Sequence, residues 1–177
     1  SEKMVKKFEI GFCPDHKILG SYLQKKGYSP SDYNKLDLFI KNKKGEIFGR
    51  FSNRIIFPIF DFERKIVGFG GRIINNSKIK YINSQESIIF KKSNILFGLK
   101  QNLDFIKRLK EIFLVEGYLD VIKLSEFDIR TAVSSLGTTL SESQLKKMWH
   151  LVDTPLICFD GDNAGINASK NIAIKCL

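Results

Sequence analysis

An α/β fold is what this sequence predicts: a parallel sheet with flanking helices in the last third, preceded by a mixed α+β subdomain. Two observations carry that prediction. From Ile112 onward, short apolar runs alternate with helical patterns in the order β-α-β-α-β-α, which implies a parallel sheet with crossover helices. Between residues 50 and 100 the runs are instead strand-like, broken by glycine and asparagine turns rather than by helices.

The 177 residues suffice for one large domain or two small ones, and a boundary is expected near residue 105, giving segments 1–105 and 106–177. Hydrophobic residues make up 43%, enough to exclude a disordered chain. Lys and Arg number 29 against 19 Asp and Glu, a net charge of +10 that points to a polyanionic partner. The basic residues crowd the first two thirds, and the acidic turns lie in the last third. The three cysteines, Cys13, Cys158 and Cys176, show no close pairing, and no secretion signal precedes them. That fits a reducing cytosol. No apolar run reaches membrane-spanning length. The chain starts abruptly at Ser1 and stops at Leu177 inside an apparent helix, and so reads as a piece of a longer protein.

Residues 1–50 are weakly patterned. Ser21–Lys26 is expected to form part of a short helix, closed at Gly27, then a turn or helix start at Ser29-Pro30-Ser31-Asp32. Lys41–Gly45 reads as a loop between strands. Arg54–Asp61 is a strand, with Pro58 arguing for an edge or bulge. Ile66–Ile74 completes a hairpin, its glycines allowing a ligand or another backbone to approach. A turn at Asn75-Asn76-Ser77 and an extended segment at Lys80–Ser84 follow.

Beyond residue 100 the expected elements are a helix Asn102–Lys110, a strand Ile112–Val115, a helix Val121–Phe127 and a strand Thr131–Ser135. Ser141 and Gln144 have the three-residue spacing of a capping box. A strand Leu156–Phe159 and a helix with Ala164, Ala168 and Ile172 on one stripe close the pattern.

Two acidic turns each follow a buried-looking strand: Glu116-Gly117-Tyr118-Leu119-Asp120, and Asp160-Gly161-Asp162-Asn163-Ala164-Gly165. Open α/β sheets bind ligands at the carboxyl ends of their strands, so the two turns can meet at one edge. Clustered carboxylates repel unless a cation lies between them, and an oxygen-only set suits magnesium. Glu116, Asp160 and Asp162 are the candidate metal-binding acids. Asp120 either joins them or caps the helix behind it. Cys13-Pro14-Asp15-His16 offers two ligand types in one loop and is read as no metal site.

These turns resemble the first two acidic motifs of the topoisomerase–primase (TOPRIM) fold in its bacterial DNA primase form. The resemblance runs in order along nearly the whole chain. It includes Gly11-Phe12-Cys13-Pro14, Arg54-Ile55-Ile56-Phe57-Pro58-Ile59, Gly68-Phe69-Gly70-Gly71-Arg72, Lys80-Tyr81-Ile82-Asn83-Ser84, Leu96-Phe97-Gly98-Leu99 and Ser134-Ser135-Leu136-Gly137-Thr138. Gln85 departs from the family's usual proline, and the chain ends before the family's third acidic motif, an Asp-x-Asp.

What the resemblance implies is a TOPRIM-like sheet and synthesis of short RNA primers on single-stranded DNA, from nucleoside triphosphates, during replication. Glu116, Asp160 and Asp162 are the implied catalytic acids, with Asp120 in the metal set, and the cofactor is Mg²⁺, or Mn²⁺ in its place. Glu116 is open to a second role, in proton transfer. Zinc is expected only in an amino-terminal domain outside this chain, and a replicative helicase would dock through a carboxyl-terminal one. Arg72, Lys80 and Lys92 are expected to line a nucleotide and template groove, Tyr81 and Asn83 to contact a base or ribose, and Arg54 a template phosphate. A core position for Tyr81 stays equally open. Lys25, Lys26, Lys43 and Lys44 read as solvated charges. A monomer in the bacterial cytoplasm, without membrane contact, is expected. Two other classes stay open: a topoisomerase or nuclease on the same fold, and a DNA-binding module without turnover.

Overall fold

A computed structural model describes residues 1–36, 38–75, 79–137 and 140–176. The chain divides into two compact units. One comprises Ser1–Glu9, Ile59–Val67 and Glu86–Leu177, and the other Ile10–Pro58 and Gly68–Gln85. In chain order the first elements are helix α1 (Glu2–Lys7), strand β1 (Gly11–Cys13), helices α2 (His16–Lys25) and α3 (Pro30–Lys35), and strands β2 (Phe39–Lys41), β3 (Ile47–Gly49), β4 (Arg54–Phe60), β5 (Ile66–Ile73) and β6 (Tyr81–Asn83). A 3-10 turn at Lys92–Asn94 leads to helix α4 (Leu99–Leu109). Strand β7 (Phe113–Val115), helix α5 (Tyr118–Glu126), strand β8 (Ala132–Ser134), helix α6 (Glu142–Trp149), strand β9 (Leu156–Ile157) and helix α7 (Asn163–Lys175) complete it.

The antiparallel sheet has the order β1-β4-β5-β6, and β2 and β3 form a separate hairpin. Asp15 caps α2 by accepting from the Lys17 N–H at 2.9 Å, and the expected stretch from Ser21 is the second half of this helix. Pro58 lies in a strand that has neighbours on both sides. The short β1 explains the tolerance: its register reaches only to Ile56, leaving that flank of β4 open at Pro58. Gly71 also differs from expectation. A Cβ there would lie 2.7 Å from the Phe51 ring and 3.2 Å from Arg54 Cδ, so its smallness serves internal packing, not ligand approach. Asn76 and Ser77 of the expected turn, and Thr138 at the end of the Ser134-Ser135-Leu136-Gly137-Thr138 motif, lie outside the described residues.

The second sheet is parallel, in the order β8-β7-β9. Its core joins Leu99, Leu103 and Ile106 of α4, Leu114 of β7, Val133 of β8, Leu145 and Met148 of α6 and Ile172 of α7. Burying each such aliphatic side chain contributes about 1.5–3 kcal/mol. On α7 the expected stripe holds at Ile172, whereas Ala164 is exposed and Gly165 is buried instead. The capping box is present: Ser141 Oγ accepts from the Gln144 N–H at 3.1 Å, and Gln144 Oε1 accepts from the Ser141 N–H at 2.9 Å. Helix α4 begins at Gly98, at φ +85°, where a Cβ would strike Val121 and the Ala132 carbonyl.

A polar link crosses this packing. Fully buried Asn102 donates through Nδ2 to the Ala132 carbonyl at 2.8 Å, and its Oδ1 accepts from Lys7 Nζ at 2.9 Å. Burial, then repulsion from Arg130 and Lys3, lowers the Lys7 ammonium from 10.5 to about 8 against the opposing pull of Asp128. The folded chain therefore holds this proton less tightly than the unfolded one. Below pH 8 both states carry it and the cost is complete; as pH rises from about 8 to 10.5 the cost is relieved and stability increases. Thermal midpoints taken across that window should rise more for the native chain than for Lys7→Met. Equal slopes would assign the proton to another group.

Candidate active site

The acidic turns belong to the unit built on the parallel sheet. Glu116 directly follows β7 and is exposed. Asp160 lies three residues beyond the end of β9 and is also exposed. Because β7 and β9 are parallel neighbours, with Leu114 opposite Ile157, both turns emerge at the same edge of the sheet. A hydrogen bond joins them: the Asp160 N–H donates to Glu116 Oε1 at 3.1 Å.

The other two acids act at helix starts. Asp162 is the N-cap of α7, its Oδ1 accepting from the Gly165 N–H at 2.8 Å. Asp120, in the first turn of α5, reaches back through Oδ2 to the Gly117 N–H at 2.9 Å. That bond realises the capping alternative for Asp120. Both carboxylates also face the positive end of a helix dipole.

The donor chemistry fits a hard divalent cation. The acids are carboxylates only, exposed, and lie in turns that leave one edge of the sheet. Among the described residues no three acidic, histidine or cysteine side chains stand close enough to form a metal-binding group. Glu116 and Asp160 are the pair brought together, and Asp162 belongs to the same loop as Asp160. In the loop read as no metal site, Asp15 caps α2 and the His16 ring packs against Phe48.

The candidate nucleic-acid residues fall into three groups. Arg72, Lys80, Tyr81 and Asn83 lie along one margin, on β5, on the edge strand β6 and just before it. Arg72 and Tyr81 are register partners, and the guanidinium carbon lies 5.4 Å from the ring centroid, a cation–π contact. Tyr81 keeps 42% of its surface exposed, so it is not a core aromatic. Arg54 is different: it is buried, and NH1 donates to the Lys80 carbonyl at 3.1 Å and the Ile79 carbonyl at 3.4 Å. Its guanidinium holds the segment entering β6, and burial pushes its pKa down. Lys92 belongs to the other unit, in the 3-10 turn, where its N–H donates to Glu86 Oε1 at 2.9 Å.

Sequence reasoning assigned Gly165 no role, yet its N–H donates to Asp162, and a Cβ on it would strike the Asp160 carbonyl and the Glu116 carboxylate. Its position three residues after an N-cap aspartate was the available signal.

Comparison with known proteins agrees with this architecture. Residues 1–103 match the DNA primase catalytic core, N-terminal domain, and residues 110–177 match the Toprim domain. A DNA primase of Rickettsia prowazekii is 42% identical over 169 residues, covering 96% of this chain and 28% of that protein. The chain thus spans under a third of that relative's length. The crystal structure of the Aquifex aeolicus primase (zinc-binding and RNA polymerase domains) superposes with a TM-score of 0.89 at 35% identity, over 97% of this chain and 42% of that one. A DnaG primase catalytic domain bound to ssDNA gives 0.85 at 32% identity, over 97% of this chain and 56% of that one. The chain belongs to the DNA primase catalytic-core family, carrying that core's N-terminal domain followed by a Toprim domain.

Proposed function

We propose that this chain is part of the nucleotidyl-transfer core of a primase, a DNA-templated RNA polymerase that lays short RNA primers on single-stranded DNA during replication. The reaction is attack of a primer 3′-hydroxyl on the α-phosphate of a nucleoside triphosphate, with release of pyrophosphate. The observation that carries this reading is the bond between the Asp160 N–H and the Glu116 carboxylate, which gathers two acids from separate strand–helix units at one sheet edge. The names of the relatives, the Toprim match and the solved neighbour bound to ssDNA support it.

Glu116, Asp160 and Asp162 would hold magnesium, or manganese in its place. When bound, the ion supplies charge neutralisation for the triphosphate and the leaving pyrophosphate. Glu116 has Oε2 available as a ligand or as a proton acceptor, while Oε1 is turned to the Asp160 N–H. Asp120 fixes the Gly117 turn, and a ligand role would fall to its second oxygen. Arg72, Lys80, Tyr81 and Asn83 would take template or nucleotide, with Lys92 contributing from its own unit. Arg54 would reach a phosphate only by sharing its carbonyl-bound guanidinium. The division near residue 105, the cytoplasmic location, the monomeric state and helicase docking through a separate carboxyl-terminal domain belong to the same proposal.

The test is labelled ribonucleotide incorporation on a single-stranded template by the full-length protein with magnesium. Short RNA products are expected. Strand passage or cleavage would place it with topoisomerases or nucleases, and binding without turnover would make it a non-catalytic module. Lys80→Ala should weaken single-strand binding and reduce the slope of log affinity against log salt by about 0.7, the counterion contribution of one phosphate contact. An unchanged slope would remove Lys80 from the phosphate path.

A further inference from the structure

Gly165 is buried in the first turn of α7, although Asn163, Ala164 and Ile166 around it are exposed. Its N–H donates to Asp162 Oδ1 at 2.8 Å. A Cβ built on it would lie 2.2 Å from the Asp160 carbonyl oxygen and 2.7 Å from Glu116 Oε1. The first of these obstacles is backbone and cannot rotate aside. The second is the carboxylate oxygen that accepts from the Asp160 N–H at 3.1 Å. One glycine therefore binds Asp162 through its N–H and leaves no room for a side chain beside Glu116 and the Asp160 backbone.

We propose that Gly165 is a positioning residue for the acids of the two turns. Its missing side chain lets the first turn of α7 close beneath the Asp160 loop, so that Glu116 and Asp160 share one space while Asp162 is pinned by its cap. A methyl group there must push the Asp160 backbone away from α7, and the Glu116 carboxylate with it. The inference rests on the reading of these acids as cation-holding. Gly161 supplies the control. It lies in the same loop, between Asp160 and Asp162, and a Cβ on it would have nothing within 4 Å.

The experiment compares Gly165→Ala, Gly161→Ala and Asp160→Asn in the full-length protein, titrating magnesium during primer synthesis. Groups that orient metal ligands are typically worth about 10–100-fold in metal affinity or activity. Gly165→Ala should lose synthesis by roughly that factor, recover part of it at raised magnesium, and keep its circular dichroism and single-strand affinity. Gly161→Ala should match the native protein. A native rate and magnesium midpoint in Gly165→Ala would overturn the inference. So would loss of its circular dichroism, which would make the glycine a folding requirement. If Asp160→Asn retains synthesis, the cation reading itself fails and this inference falls with it. If Asp160→Asn is inactive while Gly165→Ala is native, only the positioning role is lost.

Discussion

Asp160→Asn in the full-length protein should reduce magnesium-dependent primer synthesis by roughly 10²–10³-fold while single-strand binding persists. The magnitude follows from the several kcal/mol of charge stabilisation that a bound cation supplies, at about 1.4 kcal/mol per tenfold in rate. The substitution keeps the side chain's size and removes its charge. It leaves the Asp160 N–H free to donate to Glu116, so the turn has no reason to move. Asp160 is exposed at the strand edge, so removing its charge leaves no buried group unpaired. Binding should survive because four of the candidate contacts, Arg72, Lys80, Tyr81 and Asn83, lie in the other unit, on β5, on β6 and just before it. Equal loss of binding and synthesis would instead point to a structural role for Asp160.

Leu114→Ala should lower stability by roughly 2–5 kcal/mol, the usual cost of truncating a fully buried leucine. Leu114 is completely inaccessible, sits on β7 between β8 and β9, and belongs to the core shared by α4, α6 and α7. Residues packed from several elements collapse poorly into a vacated space, which puts the cost toward the upper part of that range. Denaturant unfolding measures it. Below the melting transition the magnesium midpoint should stay near native, because Glu116 leaves β7 beyond the truncated side chain. A loss under about 1 kcal/mol would mean that β7 is not the packed centre of this unit.

Much of this arrangement was legible in the sequence because local chemistry decides it. Pro30 starts a helix, Gly27 ends one at φ +85°, and Ser141 with Gln144 forms the reciprocal cap that their spacing implies. The apolar run before Glu116 marked the end of β7 correctly, whereas β9 stops at Ile157, two residues short of the expected Phe159. What escaped was non-local. Strands of three residues, such as β1, β2 and β3, are too short to show a period, so the first fifty residues looked unpatterned. Nothing in an Arg before an apolar run tells whether it faces solvent or, like Arg54, the carbonyls of Ile79 and Lys80. The hairpin tip Ile59–Val67 joins the unit of the later sheet through contacts with residues far along the chain, including Arg64 with Asp104 at 3.3 Å. Half of the constraint on Gly165 was equally silent: the Asp160 carbonyl lies in its own loop, but the Glu116 carboxylate arrives from across the sheet edge.

Crystals of the full-length protein soaked in manganese, with anomalous scattering recorded, would locate the cation directly. The account predicts a peak within about 2.0–2.6 Å of carboxylate oxygens from both Glu116 and Asp160. A peak held by one of them without the other, or manganese bound only elsewhere in crystals that still support synthesis, would contradict it.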